Sequence, residues 1–416
     1  MNSATGGRRT TAAIPWLAIA CGCAIVALTF GPRSAMGFFQ LPMLADRGWD
    51  RETFGFAMAL QNLFWGLGLP FFGAAADKYG TWRVLASAGV LYALGLVMMA
   101  MAESPVILHI GGGVLVGLGV AAGGFGIVLA AFARRVPAER RSLVFGIGTA
   151  AGSAGMFLFA PISQGMIDAF GWSDTLMYIA ATLLVALPLL AIPLAGNSAD
   201  AAAIEATAEQ TIGQALTQAF GHRSYVLLTS GFFVCGFQLA FITAHFPAYV
   251  RDLGIEPRYA VLAFALIGFF NILGSLSAGF IGQRYSKPIF LALIYLARSA
   301  MVTMFLLLPQ TPVTVIAFSI CMGLLWLSTV PPTNGLVAVM FGTRHLGMLG
   351  GVIFLSHQIG SFLGVWLGGY LYDRWQSYDP VWWLSALLGI FAAIVHLPIK
   401  EQPAEPAQAP LAVDPR

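Results

Sequence analysis

Apolar runs of about twenty residues follow one another from Trp16 to Pro398, broken only by short stretches that carry charge, glycine or proline. That is the length of apolar chain a membrane-spanning helix needs. The pattern predicts twelve spans, at approximately 14–43, 53–76, 83–102, 106–133, 142–167, 174–195, 225–250, 259–283, 288–308, 312–341, 347–372 and 380–399. One long polar break, "AGNSADAAAIEATAEQTIGQALTQAFGHRSY", separates the sixth from the seventh. The expected organisation is an N-terminal six-helix bundle over 1–195, a cytoplasmic central loop over 196–224, a C-terminal six-helix bundle over 225–400 and a cytoplasmic tail over 401–416. The fold class is all-α integral membrane, with two pseudo-symmetric bundles.

The two halves resemble each other. Laying "NLFWGLGLPFFGAAADKYG" over "GFFNILGSLSAGFIGQRYS" matches Phe64 with Phe270, Gly68 with Gly274, Gly73 with Gly279, Lys78 with Arg284 and Tyr79 with Tyr285. A second overlay brings Gly155 onto Gly360, Phe157 onto Phe362 and Asp168 onto Asp373. Parallel repeats of six helices are a transporter plan in which the substrate site lies between the halves.

Composition agrees with the pattern, since 58% of residues are hydrophobic and only 9% charged, against about 25% charged in ordinary soluble domains. A net charge of +3 spread over short loops gives no nucleic-acid footprint. The basic residues report topology instead. With the N-terminus in the cytoplasm, fourteen fall inside (Arg8, Arg9, Lys78, Arg83, Arg134, Arg135, Arg140, Arg141, Arg223, Arg284, Lys287, Arg344, Lys400, Arg416) and five outside (Arg47, Arg51, Arg251, Arg258, Arg374). Both termini are therefore expected to be cytoplasmic. The start of the chain has the basic-then-apolar order of a signal peptide. It is nevertheless read as the first span, because the run is long and lacks a convincing cleavage site. Cys21, Cys23, Cys235 and Cys321 all lie within predicted helices and are read as small core residues.

Candidate chemistry is sparse. The spans offer no HExxH pair and no acidic residue well inside a helix, and none of the three lysines follows a glycine as a Walker loop requires. No enzyme, no ATPase and no cofactor or metal site is expected. Two cations remain inside spans, Arg33 in "FGPRSAMGFFQ" and Arg298 in "IYLARSAMVTMF". An arginine at the centre of a span costs roughly 2.5–3.5 kcal/mol on insertion scales, so such residues face the bundle interior or a water-filled cavity. A guanidinium pairs with a carboxylate through two parallel hydrogen bonds and keeps its proton, which favours anions. Arg33 is accordingly the leading candidate for substrate binding. Arg298 lies near the centre of helix 9, where structural bracing is the plainer reading and a secondary site the other. Gln40, Gln61, Asn62, Gln238, Asn271, Asn334 and Gln358 offer neutral hydrogen bonds, which in membranes commonly join helices. His245 and His357 are candidates for a proton or gating role beside a simpler structural one. Small residues at four-residue spacing, in "GGGVLVGLGVAAGG" and at Gly360, Gly364 and Gly368, let helices approach closely.

The loop "GAAADKYGTWR", with Gly73, Asp77, Lys78, Gly80 and Arg83, resembles the signature of the major facilitator superfamily. The resemblance implies the twelve-helix fold and a gating role for these residues, the acid bracing the cytoplasmic ends of helices 2 and 11 in the outward-open state. Gln283 stands where the second half would repeat Asp77, so that copy of the gate is weaker. Within the superfamily, "GPRSAMGFFQLPM" and "WDRETFGFAMALQNLFWGLGLPFFGAAADKYG" are most similar to monocarboxylate transporters and their bacterial relatives, such as the oxalate-formate antiporter. There a substrate-binding lysine stands where this chain has Arg33. The acidic-Gly-aromatic opening of helix 1 is missing here. In helix 8 the family's aspartate and arginine are replaced by Asn271 and Ser275, so the eukaryotic proton-coupling pair is absent.

Together these readings describe a monomeric, multi-pass transporter of the plasma membrane, a bacterial inner membrane by its relatives. It would move small organic anions, monocarboxylates first, by alternating access, with a proton or a counter-anion as second partner. Arg33, Asn271, Ser275, His357, Gln61 and Asn334 are the expected substrate contacts. Two rivals stay open: efflux of an amphipathic drug-like compound, which would call for a membrane-embedded acid, and a non-transporting carboxylate sensor.

Overall fold

The computed structural model describes residues 14–195, 212–342 and 346–404. Arg8, Arg9, Arg344, Arg416, most of the central loop and most of the tail lie outside the described residues. Within them the chain is helical: α1 Trp16–Arg47, α2 Arg51–Tyr79, α3 Thr81–Ala100, α4 Pro105–Arg135, α5 Ala138–Phe170, α6 Trp172–Leu194, α7 Arg223–Asp252, α8 Pro257–Arg284, α9 Lys287–Leu307, α10 Pro312–Phe341, α11 Leu346–Trp375 and α12 Asp379–His396. A short helix, Ile212–Gly221, precedes α7. Eleven described helices are long and apolar enough to cross a membrane. The twelfth, α2, has 29 residues and carries Gln61 and Asn62 at its middle, which lowers its apolarity. Both ends of the described chain emerge at one end of the bundle, here the near end; the opposite face is the far end.

Local sequence explains where the helices start and where they loosen. Asp50 caps α2, its carboxylate accepting from the Thr53 N–H at 2.8 Å, and Thr311 and Thr314 form a capping box ahead of α10. Gly80, at φ 92°, turns the chain from α2 into α3 in a conformation that disfavours side chains. Three spans are irregular within their length. α1 passes from α-helix through a 3-10 turn, Met36–Phe39, just after Pro32. α4 carries a π-helical segment over His109–Leu115 with its three consecutive glycines, and α10 is interrupted between Leu325 and Val330. Irregular backbone at membrane depth is tolerated where protein or a cavity satisfies it.

The helices pack most extensively as α7 on α11, α2 on α11, α3 on α6 and α1 on α5. The pairs α2/α11 and α5/α8 join the two halves. Glycines set the closest approaches. A Cβ on Gly236, Gly360 or Gly364 would collide with the backbone carbonyls of His357, Phe233 or Phe237 across α7/α11, so that seam is close to backbone on backbone. Large apolar side chains on α6, α9 and α12, such as Val185, Leu189, Leu293, Leu387 and Ile394, point outward, as lipid-facing positions must.

The halves are not held together evenly along their length. Among the described residues, the hydrogen bonds that join them, Asn271 to Ser153, Gln40 to His245, Trp366 to Glu52 and the set around Arg51 and Asp373, lie at mid-depth or toward the far end. Toward the near end, Cβ atoms built on Gly73 of α2 and Gly351 of α11 would meet nothing within 4 Å. The bundle is closed at its far end.

Candidate functional site

The break in α1 places Arg33 at mid-depth between the halves. Pro32 removes a helix hydrogen bond, and the 3-10 turn that follows re-aims the chain. The guanidinium donates through Nη2 to Asn62 Oδ1 and lies 4.5 Å above the Trp65 ring, while its Nε is buried without a partner. Asn62 is itself anchored, its Nδ2 donating to Met58 O at 2.8 Å. Cation–π contact contributes about 0.5–2 kcal/mol, less than a desolvated guanidinium needs, and the unpartnered Nε leaves room for an anion's oxygen. The void beside Arg33 is lined by Met36, Met58, Asn62, Thr243 and Val365, from α1, α2, α7 and α11. It is no larger than one water requires, so the site is drawn tight in this state. Gln61 borders the same void, but its Nε2 donates to Gly112 O at 2.9 Å, filling an acceptor that the π segment of α4 exposes.

On the near side of Arg33, aromatic rings form a row that crosses from one half to the other. Phe30 meets Trp65 edge-on at 5.3 Å, Trp65 meets Phe354 at 5.0 Å, Phe354 stacks on His357 at 5.6 Å, and His357 meets Phe232 at 5.1 Å. The Trp65–Phe354 contact is the bridge between halves. His357 thus reaches the neighbourhood of Arg33 as part of an apolar layer, with Nδ1 3.0 Å from Gln358 Oε1.

The far side is closed by charge. Arg51, at the start of α2, donates to both carboxylate oxygens of Asp252 at the end of α7, at 2.5 and 2.8 Å, and to Tyr378 Oη at 2.9 Å. Its guanidinium also lies 3.6 Å over the Tyr372 ring. Asp373, at the end of α11, accepts from the backbone N–H groups of Arg51 and Glu52 at 3.2 and 2.6 Å, so a carboxylate from one half caps a helix of the other. Glu52 in turn accepts from Trp366 Nε1 at 3.1 Å. Burial pushes the Tyr378 phenol upward, so it stays a hydroxyl able to donate onward. Its Oη lies 3.2 Å from Nδ1 of His245, which Gln40 Nε2 also approaches at 3.2 Å, while His245 Nε2 lies 2.8 Å from Val365 O. His245 therefore belongs to the far-end network, one step from the cavity through Val365.

Other expected contacts sit elsewhere. Asn271 donates to Ser153 Oγ at 2.9 Å, and its Oδ1 accepts from Leu327 N at 3.0 Å and from Ser275 Oγ at 3.1 Å. Both residues thus serve the α5/α8 seam and the break in α10 rather than Arg33. Asn334 is exposed in the near half of α10, beside Gly350 of α11. Arg298 is fully buried, and Nη2 donates to Leu325 O and Trp326 O at 2.6 Å each, with Nε 3.2 Å from Leu325 O. It caps the interrupted end of α10. At the near end Asp77 pairs with Arg134 at 3.6 Å, Arg134 donates to Thr81 Oγ1 at 2.6 Å, and Arg83 donates to Tyr79 O at 3.1 Å. Lys78 lies 5.2 Å from the Tyr79 ring, Gly80 makes the turn and Gly73 faces open space. All of these contacts stay within the first half, and none reaches α11.

Sequence reasoning missed the far-end cluster of Arg51, Glu52, Asp252, Asp373 and Tyr378. A usable signal exists: Arg51 and Asp252 lie at adjoining span ends with opposite charge, and Asp373 emerges from the repeat overlay. Asn62 is legible only as one of several intramembrane amides.

Residues 17–365 match the model of the Major Facilitator Superfamily. Monocarboxylate transporter 13 of Bos taurus is 23% identical over 377 residues, 87% of this chain and 84% of that protein. Monocarboxylate transporter 11 of Mus musculus is 26% identical over 381 residues, 86% and 81% of the two chains. An uncharacterised transporter of the superfamily from Bacillus subtilis (strain 168), YcxA, is 24% identical over 357 residues, 83% and 85%. Among solved structures, a point mutant of the nucleoside transporter NupG superposes with a TM-score of 0.76 at 14% identity, covering 92% of this chain and 99% of its own. A D-xylose-proton symporter superposes at 0.72 and 17% identity, covering 93% and 98%. The fold, the two-half plan and the family match over most of the chain agree, and this protein belongs to the major facilitator superfamily as a multi-pass membrane transporter.

Proposed function

We propose that this transporter moves small organic anions, monocarboxylates in particular, and that Arg33 binds the carboxylate. The observation that carries the proposal is the environment of Arg33: a permanent cation at mid-depth between four helices of both halves, with one buried N–H lacking a partner. A cation there repels cationic drugs and draws anions, which favours this reading over efflux of an amphipathic cation. Low-identity likeness to monocarboxylate transporters supports the same class.

Alternating access follows from the uneven closure of the bundle. The far-end latch of Arg51, Asp252 and Asp373 holds the halves together on one side, while on the near side of Arg33 the Trp65–Phe354 ring contact bridges them. On the positive-inside expectation the near end is cytoplasmic, and closure at the far end then supports reading this state as shut toward the outside. Parting of Trp65 from Phe354 would open the site inward, and parting of Arg51 from Asp252 would open it outward.

The test is uptake into proteoliposomes of labelled mono- and dicarboxylates, with and without a pH gradient. Saturable uptake of at least one small acid is expected; uptake of organic cations and of no acid would overturn the substrate class.

A further inference from the structure

We propose that the segment after α12, residues 397–404, is a strap that holds the near piece of α10, Val330–Phe341, back against α9. Its release lets this piece swing about the interruption in α10 toward the first half. Backbone bonds and one ion pair seat the strap across the near end of the second half. The Lys400 N–H donates to Ser224 Oγ of α7 at 3.1 Å, and the Ala404 N–H donates to Met340 O of α10 at 2.8 Å. Between them, Glu401 accepts from the first N–H of α9, that of Lys287, at 3.0 Å and forms an ion pair with the Lys287 ammonium. Ser286, the N-cap residue of α9, makes no side-chain cap of its own, and the Glu401 carboxylate fills that place. A carboxylate at a helix N-terminus and beside an ammonium is favoured by both. Ile399 is buried next to it in the chain and anchors the strap.

Lys287 joins the strap to α10. Its stem lies on Gly335, where a Cβ would stand 3.0 Å from Lys287 Cε and 3.1 Å from Cδ. The near piece is thus held on α9 by a side chain whose charged end the strap grips. α9 turns Leu293 and Leu296 outward, as a lipid-facing helix does, so this contact keeps the near piece away from the first half. The other end of the piece is a joint. The helix is interrupted between Leu325 and Val330, and Pro331 and Pro332 at the start of the near piece have no N–H with which to restore its ladder. Side chains of other helices fill the freed groups: Arg298 of α9 donates to Leu325 O and Trp326 O, and Asn271 of α8 accepts from Leu327 N. A tilt there disturbs turns rather than a continuous ladder. The near piece packs chiefly on α8, α9 and α11 of its own half. Between the halves there is room for it, since a Cβ on Gly73 or Gly351 would meet nothing within 4 Å.

The experiment measures the distance between spin labels at the near ends of α9 and α10 in the full chain, reconstituted in proteoliposomes, for wild type, Lys287→Met and Glu401→Ala. Lys287→Met keeps an apolar stem on Gly335 and removes the charge, whereas Glu401→Ala removes the ion pair and the helix cap together. The wild type should give one short distance. Lys287→Met should add a longer one, raising its population relative to the short one roughly fivefold, as a partly exposed pair allows. Glu401→Ala should raise it further, with the near ends of α10 and α5 drawing together. Labels at the near ends of α8 and α9, which the strap does not join, should keep their distance. Salt raised from about 0.05 to about 1 M screens the pair, so it should reproduce the Lys287→Met shift in the wild type and do nothing to Glu401→Ala. The salt arm needs no variant to fold. An α9–α10 distance unmoved by either substitution and by salt would overturn the strap. Approach of α10 to α5 at a constant α9–α10 distance would overturn the joint in α10, because the second half would then be moving as one body.

Discussion

Arg51 grips Asp252 with two parallel hydrogen bonds, Nη1 to Oδ2 at 2.5 Å and Nη2 to Oδ1 at 2.8 Å, joining the start of α2 to the end of α7 across the two halves. The pair is largely shielded, with Tyr372 under the guanidinium and Tyr378 beside it. If alternating access parts the halves at this end, the pair is lost in the other state, so it biases the balance between the two.

Removing one partner of the pair should shift that balance. Breaking a buried ion pair costs about 3–5 kcal/mol; partial exposure here reduces this to roughly 2 kcal/mol, or about thirtyfold in an equilibrium. Arg51→Gln is expected to lengthen the distance between spin labels placed at the far ends of α2 and α7. An unchanged distance distribution would show that the latch does not set the state.

Asp77 separates stability from function. Its partner Arg134 is 3.6 Å away and the carboxylate is more than half exposed, and exposed pairs contribute little. Asp77→Asn should therefore leave the melting temperature of this state within error. If the acid braces α2 against α11 in the opposite state, uptake should fall several-fold; a lowered Tm with normal uptake would contradict this division.

Arg298 should behave in the reverse way. Its guanidinium fills the carbonyls of Leu325 and Trp326 where α10 is interrupted, and Arg298→Met leaves them buried and unsatisfied at about 1–3 kcal/mol each. The expected result is a markedly lower Tm in detergent, with Arg298→Lys recovering part because an ammonium lacks the planar fork. A selective rise in KM at unchanged Tm would place Arg298 in a substrate site instead.

The α7/α11 seam admits a packing test. Gly364 lies against the Phe237 backbone, so Gly364→Leu forces the helices apart at a cost of roughly 1–3 kcal/mol. Lower expression and Tm are expected, while Gly213→Leu, where a Cβ meets nothing within 4 Å, should be silent.

Much of this architecture is legible in the chain because membrane burial imposes a strong, one-dimensional signal. The apolar runs mark spans that match α1 to α12 within a few residues at most ends, and the glycine pattern of α11 announces a close seam. Arg33 stands out because a charge amid apolar residues has few explanations. Depth and neighbours are not legible. Asn271 sits at mid-membrane as expected, yet its amide is taken by Ser153 and Leu327, contacts between residues far apart in sequence. The interruption of α10 that makes Arg298 necessary leaves no periodicity to read. The far-end latch consists of ordinary charged residues at helix ends, and only the packing of α2 against α11, which brings Arg51 to Asp252, turns them into one cluster.

Binding of a carboxylate by Arg33 between the halves is tested by uptake of labelled small acids into proteoliposomes of wild type, Arg33→Lys and Arg33→Gln at matched protein content and Tm. Arg33→Gln is expected to reduce kcat/KM by roughly ten- to a hundredfold, the size of a lost charge-assisted hydrogen bond, and Arg33→Lys to keep part of it. Undiminished uptake by Arg33→Gln would contradict the claim.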